Sequence, residues 1–370
     1  MRVAGWEPAD SSTIPVTVCR VEAPPAKAPM RSTVRSLHHH LAVAVLLAFP
    51  GAVYAHEKWF ADAKAHPTQW EQVFRFPQIV GVAVALSATV ALALLWRRSG
   101  GRTLLPGPEG FGATPDGRAR FYALVPLILG IHVGAPLLVL GIMGQLFSPN
   151  NPLTGPWLYC LGVAQIGVGL SVLYGGFARA GGAALCLLWL VGAGVVGLES
   201  MLENAHYLGF GLFFALTGRG PYAIDRLLFP ALEPSPRVSR LAMPALRIGT
   251  GLGLTMVAFT EKLANPELAR AFLQHHPLNF TAWLGIPMSD DLFVLCAGST
   301  ELVIGLCLIF GIFPRLIVAG AWLLINMSLT VFNWVELVGH LPLYGVMAIL
   351  LVWTPQDDDQ RLWIEGVLRK

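Results

Sequence analysis

The sequence predicts an all-α integral membrane protein with nine transmembrane helices, arranged as two tandem four-helix bundles in parallel orientation after one extra N-terminal helix. Three observations lead to this prediction. Hydrophobic residues make up 55% of the 370 residues and charged residues only 13%, against about 25% charged residues in soluble domains. Apolar stretches long enough to cross a bilayer recur along the chain. Two of these stretches share a residue pattern at a fixed spacing.

Nine apolar stretches are separated by loops rich in proline, glycine and charged residues, and we interpret each stretch as a span. The predicted spans are residues 77–96, 121–146, 157–177, 181–198, 207–217, 241–260, 293–313, 316–334 and 337–353. Prolines interrupt the second span, which membrane helices tolerate because neighbouring groups satisfy the freed backbone.

An internal repeat links the spans 157–177 and 293–313. Seven residue pairs match at a spacing of 136 positions: Cys160/Cys296, Gly162/Gly298, Gly169/Gly305, Leu170/Leu306, Gly175/Gly311, Phe177/Phe313 and Arg179/Arg315. Chance similarity between apolar helices would match leucines rather than this pattern of cysteine, glycine and a terminal arginine. We therefore expect four helices in copy one, at 121–217, and four in copy two, at 241–353. An even number of helices gives both copies the same orientation.

The remaining segments are assigned by composition. Residues 30–55 have the basic start, short apolar run and small-residue end of a secretory signal peptide, so 1–29 would be an over-long start and cleavage would follow Ala55. An uncleaved anchor helix is the alternative. Three further segments complete the chain: 56–120 holds an outer segment, the first span and an inner loop, 218–240 is a basic cytoplasmic linker, and 354–370 is a cytoplasmic tail.

The distribution of positive charge sets the predicted orientation. With the mature N-terminus outside, the inside segments hold fourteen lysines and arginines and the outside segments hold five, as the positive-inside rule requires. We therefore expect a multi-pass protein of the bacterial inner membrane with a periplasmic N-terminus and a cytoplasmic C-terminus. The bilayer is its predicted environment, and a net charge of +3 gives no indication of nucleic acid as a partner.

Two charged residues within the spans of copy two form the first candidate site. Arg247 and Glu301 are predicted at depths that differ by about one helical turn, and ionisable groups in a span are costly. Copy one has Gly130 (or its neighbour Leu129) and Gln165 at the matching positions, so both charges are absent together. Joint loss is typical of an ion pair. The pair would either fix helix packing or line a substrate or proton path.

A second candidate site lies near the predicted outer surface. Glu336 and His340 are spaced i and i+4 and therefore share a helical face. A carboxylate beside an imidazole can hold a metal, relay a proton or bind a quinone carbonyl; a solvated polar helix start is the alternative. Further polar residues are predicted on the same side: Glu199, Glu203, His206, Glu261 and Lys262.

Two other features are consistent with metal binding or redox chemistry. A mature chain that begins at His56 would offer an amine and an imidazole to a copper ion, with His66 as a third ligand, or would simply be a polar outer segment. Cys160 and Cys296 occupy equivalent positions and are either small packing residues or a redox pair. The five cysteines form no C-x-x-C pair, which argues against a disulfide scaffold or a zinc site.

Four motifs occur in order along copy two: P-A-L-R-I-G-T-G, E-K-L-A-N-P-E, G-S-T-E-L-V-I-G-L-C-L-I-F-G-I-F-P-R and E-L-V-G-H-L-P-L-Y-G. In these motifs copy two resembles the DoxX family of small four-helix membrane proteins. Copy one is a degraded match that keeps the glycines and the arginine of the second helix. The resemblance implies a helical bundle. Some members of this family are linked to thiosulfate:quinone oxidoreductase or to thiol and oxidative-stress complexes.

Two functions follow as hypotheses. The first is a membrane subunit of a quinone-linked sulfur or thiol redox system with a soluble oxidoreductase partner. Its residues would be Glu301, Arg247, Glu336 and His340 for catalysis and Glu199, Glu203, His206 and Lys262 for quinone contact. The second is a non-enzymatic small-solute transporter or an assembly scaffold. The sequence leaves open whether the chain has catalytic activity of its own, and it contains no nucleotide-binding loop, nucleophile elbow or H-E-x-x-H motif.

Overall fold

The computed structural model describes residues 56–101, 104–231, 234–329, 334–353 and 357–368. Within these described residues the chain forms helices, turns and irregular connections, apart from one antiparallel bridge between Gln145 and Pro152. The predicted signal peptide and the predicted over-long start lie outside the described residues.

The helices are numbered α1 to α14 in chain order. They are α1 (Gln78–Arg98), α2 (Pro115–Ile142), α3 (Pro156–Tyr174), α4 (Ala178–Val195), α5 (Leu198–Glu203), α6 (Ala205–Thr217), α7 (Ile224–Leu228), α8 (Pro236–Ser239), α9 (Ala242–Val257), α10 (Pro266–His275), α11 (Asp290–Phe310), α12 (Pro314–Leu329), α13 (Trp334–Val352) and α14 (Asp357–Val367). Short 3-10 turns at Glu57–Trp59 and Trp70–Phe74 precede α1, and a π-helical turn at Ala258–Leu263 continues α9.

Seven helices among the described residues are long and apolar enough to cross a membrane. They are α1, α2, α3, α4, the stretch Pro236–Leu263, α11 and α13. The other two predicted spans correspond to shorter apolar helices, α6 and the Pro314–Asn326 part of α12. At about 1.5 Å per residue, the 13 residues of α6 reach about 20 Å, less than the roughly 30 Å of the hydrocarbon core. The chain is thus a multi-pass helical membrane protein.

Both copies of the repeat make the same turn between their second and third helices. Helix α3 ends at Gly175 and α11 ends at Gly311, both in the left-handed region with φ of 73° and 68°. Glycine suits this helix end because it has no Cβ. Two residues later, Phe177 and Phe313 also have positive φ, 54° and 42°. Positive φ is uncommon for such a bulky residue, so an unusual backbone conformation recurs 136 residues apart.

An arginine contact also recurs at this turn. Arg179 Nε donates to the carbonyl oxygen of Ala215 in the last turn of α6, at 3.1 Å. Arg315 Nη2 donates to the carbonyl oxygen of Val352 at the end of α13, at 2.8 Å. Carbonyls in a last turn lack partners within their helix. Each arginine therefore joins the start of the third helix in its copy to the end of the fourth.

The two copies pack through reciprocal helix pairs. Within the copies, α2 packs on α3, α4 on α6, α9 on α11 and α12 on α13. Between the copies, α6 packs on α9 and α13 packs on α2, so the fourth helix of each copy contacts the first helix of the other. Helix α1 lies outside the repeats and packs on α11.

The C-terminal tail, predicted as a soluble extension, is part of the packed structure. Helix α14 packs on α2, and its Leu362 and Trp363 side chains are buried. The indole Nε1 of Trp363 donates to the carbonyl oxygen of Ser239 at 3.0 Å. Burial of these apolar side chains explains why the tail folds back.

Helices α6 and α9 approach most closely at Gly209 and Gly249, which generates a testable prediction. A Cβ atom at Gly249 would lie 2.8 Å from the Cα of Gly209 and 2.9 Å from the carbonyl oxygen of Ala205. We expect Gly249→Val to lower the free energy of unfolding by about 1–3 kcal/mol, because overpacking forces the two backbones apart. Thermal unfolding of the purified protein in detergent measures this loss.

The matched control is Gly167→Val on α3, since nothing lies within 4 Å of a Cβ atom at Gly167. We expect this control to unfold close to the wild-type temperature. Equal losses in the two variants would contradict the close-approach explanation.

Candidate functional site

The residues at 56–59 enter the helical assembly and contribute to a buried group of charged side chains. Glu57–Trp59 forms a 3-10 turn, and Glu57 is only 5% exposed. Trp59 Nε1 donates to Ser148 Oγ in the loop after α2, at 2.9 Å. Glu57, Lys58 and Trp59, predicted only as part of a polar outer segment, are therefore held by partners on and between the helices.

We name this group the ionic cluster. Its ten members are His56, Glu57, Lys58, Glu199, Glu203, Glu261, Lys262, Glu301, Glu336 and His340. They come from the segment before α1, from α5, from the π-helical turn after α9, from α11 and from α13. Both copies of the repeat and the segment ahead of them thus meet in one place, at the end of the molecule predicted to face outside.

Glu261 accepts hydrogen bonds from the first two residues of the segment before α1. Its two carboxylate oxygens accept from His56 Nδ1 at 3.1 Å and from the backbone N–H of Glu57 at 2.7 Å. Glu261 lies in the π-helical turn Ala258–Leu263, where it and its neighbour Lys262 are both buried. Single π-helical turns are frequent at functional sites. Here the turn brings two consecutive charged residues into the interior.

Lys262 is the cation that neutralises Glu301. Its Nζ lies 3.0 Å from Glu301 Oε1 and 3.2 Å from Glu57 Oε1. Glu301 is 1% exposed, so these ion pairs offset the cost of burying its charge. The predicted ion pair between Glu301 and Arg247 is therefore wrong: similar depth along two helices does not determine which side chains face each other.

Arg247 instead contacts the C-terminal end of α11. Its Nη1 donates to the carbonyl oxygens of Leu308 and Ile309, the latter at 2.7 Å. A cation is favourable at this end because the last carbonyls lack helical partners and carry partial negative charge. Arg247, predicted as catalytic, thus holds two helices of copy two together.

Copy one has a guanidinium at the equivalent place, supplied by a different residue. Arg219 donates to the carbonyl oxygens of Val172 and Leu173, both at 2.8 Å. These carbonyls precede those of Leu308 and Ile309 by 136 residues. The Arg219 side chain also occupies the space that a Cβ atom at Gly130 would need. The matching positions of copy one carry neither charge, but Arg219 of the linker 218–240 supplies a guanidinium to this helix end.

Gln165, the counterpart of Glu301, is surrounded by backbone groups. Its side chain accepts from the N–H of Phe147 at 3.1 Å and donates to the carbonyl oxygens of Leu137 and Gln145, at 3.1 and 3.0 Å. An amide can donate and accept, whereas a carboxylate can only accept. Gln165 of copy one thus joins α3 to the backbone of α2 and of the loop that follows α2. Glu301 of copy two instead pairs with a lysine of the ionic cluster.

Lys58 brings the acids of copy one into the cluster. Its Nζ lies 2.5 Å from Glu203 Oε1 and 3.3 Å from Glu199 Oε1. Glu199 also accepts from Thr68 Oγ1 at 2.7 Å and from Trp70 Nε1 at 3.1 Å. Lys58 therefore joins the segment before α1 to α5 in copy one.

His206, also predicted as a quinone contact, is buried beside the cluster. Its ring lies 4.6 Å from that of Tyr207 and 5.8 Å from that of Phe210, measured between centroids. The residue is therefore packed among aromatic side chains next to the acids of α5.

The predicted pair of Glu336 and His340 is confirmed, and the structure adds its surroundings. His340 Nδ1 lies 3.2 Å from Glu336 Oε1, and this oxygen accepts a hydrogen bond from Ser328 Oγ at 2.7 Å. The His340 ring lies 5.3 Å from the ring of His56 and 5.2 Å from that of Trp59. Both members of the pair are at most 2% exposed, so the alternative of a solvated helix start is wrong.

Carboxylates outnumber cations in the ionic cluster. Six glutamates face two lysines, so the formal charge is −4 when both histidines are neutral. Burial makes uncompensated charge expensive. The cluster therefore has to hold protons on its glutamates or histidines, and neighbouring sites of this kind titrate as a coupled group.

The segment before α1 shows this coupling. Burial raises the pKa of the Glu57 carboxyl to about 8, although Lys262 opposes the shift. Burial by itself would lower the pKa of His56, but the Glu261 carboxylate raises it above its ordinary value. The Glu57 carboxyl therefore exchanges its proton near pH 8, and the raised pKa of His56 favours its protonated form.

The predicted metal site is not assembled among the described residues, which contain no group of three or more histidine, cysteine or acidic side chains placed to hold a metal ion. His56 contacts Glu261, whereas the backbone carbonyl of His66 accepts from Asn265 Nδ2 at 2.9 Å. The predicted equivalents Cys160 and Cys296 are free thiols.

Fold and site together define a multi-pass helical membrane protein with a largely buried ionic cluster, to which helices of both predicted copies contribute. Comparisons with protein-family models, with curated proteins and with solved structures gave no match to this chain. The site therefore has to be interpreted from its own chemistry.

Sequence reasoning missed Glu57, Lys58 and Trp59 as site residues. Their signal was the H-E-K-W run, which places three ionisable side chains and an indole at the start of the predicted mature chain. Periodicity cannot find such partners, because the contacts of this segment join residues 89 to 205 positions apart.

Lys262 provides a direct test of the cluster. Lys262→Met leaves Glu57 and Glu301 without their shared cation, and we expect a loss of about 3–5 kcal/mol in unfolding free energy, as for other broken buried pairs. Adding Glu301→Gln, which copies Gln165, should recover part of this loss by removing one stranded carboxylate. Denaturant unfolding in detergent measures both changes.

Lys64→Met is the control, since Lys64 lies exposed in the same outer segment. We expect it to change stability by less than about 0.5 kcal/mol, as for other surface substitutions. A Lys262→Met variant as stable as this control would refute the assigned pairing.

The pKa of Glu57 predicts a dependence of stability on pH. Because this pKa is about 8 in the folded protein and about 4.3 in unfolded chains, protonation of Glu57 favours folding. Its contribution is complete below about pH 4.3 and is lost as the pH rises through about 8. The raised pKa of His56 acts in the same direction. We therefore expect Glu57→Gln to lose less stability than wild type between about pH 6 and pH 9.

Thermal unfolding at a series of pH values measures this difference. Glu71→Gln, which removes an exposed carboxylate of the same segment, should keep the wild-type slope. A Glu57→Gln slope equal to that of wild type would rule out the raised pKa.

Proposed function

We propose that this chain is the membrane subunit of a quinone-linked redox system and that its ionic cluster exchanges protons with the outer side of the membrane. The observation that carries the proposal is the excess of five buried glutamates, together with the partly exposed Glu199, over two lysines. Such a cluster has to store protons. Interconversion of a quinone and a quinol moves two electrons together with two protons, so a proton store beside the membrane surface suits this chemistry.

The four residues predicted to contact the quinone are already engaged by protein groups. Glu199 and Glu203 pair with Lys58, as described above. Lys262 pairs with two glutamates, and His206 packs against aromatic rings. They offer no open set of donors and acceptors that would fit a quinone. These four residues therefore do not form a quinone site, and the part of the cluster in the redox reaction is proton exchange.

The four residues predicted as catalytic take different parts in this proposal. Glu301, Glu336 and His340 belong to the proton-holding cluster, whereas Arg247 positions α11. Electron transfer would be carried out by the soluble oxidoreductase partner.

The proposal includes the full predicted topology. It comprises nine spans, two parallel four-helix repeats, a signal peptide cleaved after residue 55, a periplasmic N-terminus and a cytoplasmic C-terminus in a bacterial inner membrane. The repeated turn and the repeated arginine contacts support the two repeats. The bias of lysine and arginine supports the orientation. The four motifs of copy two support kinship with the DoxX family.

A non-enzymatic small-solute transporter or assembly scaffold is the second candidate. The reciprocal contacts of α6 with α9 and of α13 with α2 favour it, because parallel repeats are a recurrent plan of transporters. In a transporter, the same cluster would couple proton binding to solute movement.

Infrared difference spectroscopy distinguishes the two candidates. The protein is placed in nanodiscs that contain a membrane quinone, and spectra are recorded as the quinone is reduced and reoxidised. A redox role predicts a change in the absorption of protonated carboxyl groups in wild type. The change should be reduced in Glu57→Gln and kept in Glu71→Gln, because only Glu57 belongs to the cluster.

A jump in pH without any redox change supplies the second arm. Carboxyl absorption that responds to pH but not to quinone reduction would contradict the redox role and leave the transporter or scaffold. In that case, a candidate solute that alters the carboxyl signal at fixed pH would identify a transporter.

A further inference from the structure

A pocket of about 320 Å³ opens beside the start of α1, between the segment around Trp70–Phe74 and helices α10 and α11. Seven charged or polar residues line it: Gln72, Arg75, Gln78, Lys262, Glu267, Arg270 and Asp291. At about 30 Å³ for each water in the liquid, this volume corresponds to about ten waters. Proton exchange by the ionic cluster does not require such a space.

Three of the five charged residues that line the pocket form ion pairs. Arg270 Nε lies 2.7 Å from Asp291 Oδ1, and Lys262 pairs with two glutamates of the ionic cluster. Arg75 and Glu267 have no ion pair within 4.0 Å among the described residues, and they are not paired with each other. The pocket is thus lined by one cation, Arg75, and one carboxylate, Glu267, that are not paired with each other.

The surroundings place this pocket at the membrane interface. Phe74 and Phe76 flank Arg75 in the sequence and are 77% and 82% exposed. Tryptophan and tyrosine concentrate at the level of lipid headgroups, Trp70 of the same segment is 43% exposed, and α1 begins its membrane span at Gln78. Arg75 therefore lies at headgroup depth.

An apolar wall continues from the pocket along the helices. Val294 and Leu295 of α11 line the pocket, and Leu295 packs against Gly81 of α1. A ligand with a polar head in the pocket and an apolar chain along α1 and α11 matches this arrangement.

We propose that the pocket binds a phospholipid whose headgroup carries both a phosphate and a primary ammonium. Arg75 and the Gln78 amide bind the phosphate, because a guanidinium matches phosphate geometry, and Glu267 binds the ammonium. Binding of a phospholipid at this pocket requires only that the protein lies in a membrane. The lipid proposal therefore does not depend on the proposed redox role.

The test measures lipid binding to delipidated, full-length protein in detergent. An ethanolamine phospholipid and an anionic glycerol phospholipid with the same short acyl chains are titrated separately, and the rise in unfolding temperature is followed. Arg75→Gln should weaken both lipids about fivefold, the factor that corresponds to about 1 kcal/mol for one interfacial arginine. Arg75→Lys should keep most of the binding because it keeps the charge.

Glu267→Gln supplies the discriminating arm. It should weaken the ethanolamine lipid about fivefold and leave the anionic lipid unchanged or tighter, since a loss of negative charge cannot disfavour an anion. Lys64→Gln and Glu71→Gln remove the same charges from exposed positions of the outer segment and should bind both lipids as wild type does.

Three results would overturn the proposal. One is wild-type binding by both Arg75→Gln and Glu267→Gln. The second is an equal effect of Glu267→Gln on the two lipids, since Glu267 would then not recognise the ammonium. The third is equal binding of soluble glycerophosphoethanolamine, which lacks acyl chains and would reassign the pocket to a soluble ligand.

Discussion

Lys262 lies between Glu57 and Glu301 in the interior of the assembly, and much of the architecture follows from the need to keep these charges paired. A buried carboxylate without a partner would cost several kcal/mol. The π-helical turn after α9 brings Lys262 inside, and the residues ahead of α1 fold inward to complete the network. Lys58 likewise forms ion pairs with the two glutamates of α5. Helices from both repeats thus depend on one set of charges.

The two repeats also show that a structural role can be kept while the residue that fills it changes. The C-terminal carbonyls of α3 and α11 each accept hydrogen bonds from an arginine, Arg219 of the linker after copy one and Arg247 of copy two. These arginines are not at matching positions of the repeat. The requirement belongs to the helix end, whose carbonyls lack partners. Any hydrogen-bond donor that reaches these carbonyl oxygens can therefore fill the role.

The membrane class, most of the spans and most of the clustered residues could be predicted from the sequence, because apolar length and charges within spans stand out against the composition. The pairing of Glu301 could not be predicted. Depth along a helix follows from residue counting, but the direction of a side chain around the helix axis depends on tertiary packing. Glu57 and Lys58 were missed for a related reason, since contacts across more than 140 residues leave no periodic signal.

The inward fold of residues 56–59 has a consequence for how the two repeats are held together. His56 and Glu57 bind copy two, while Lys58 binds copy one. The segment therefore behaves as a tethered peptide ligand for a composite receptor, and its effective concentration is set by the chain that links it to α1. Cutting the exposed stretch around Lys64 would turn this ligand into a separate molecule. The cohesion of the repeats would then vary with peptide concentration, as it does in a two-component complex.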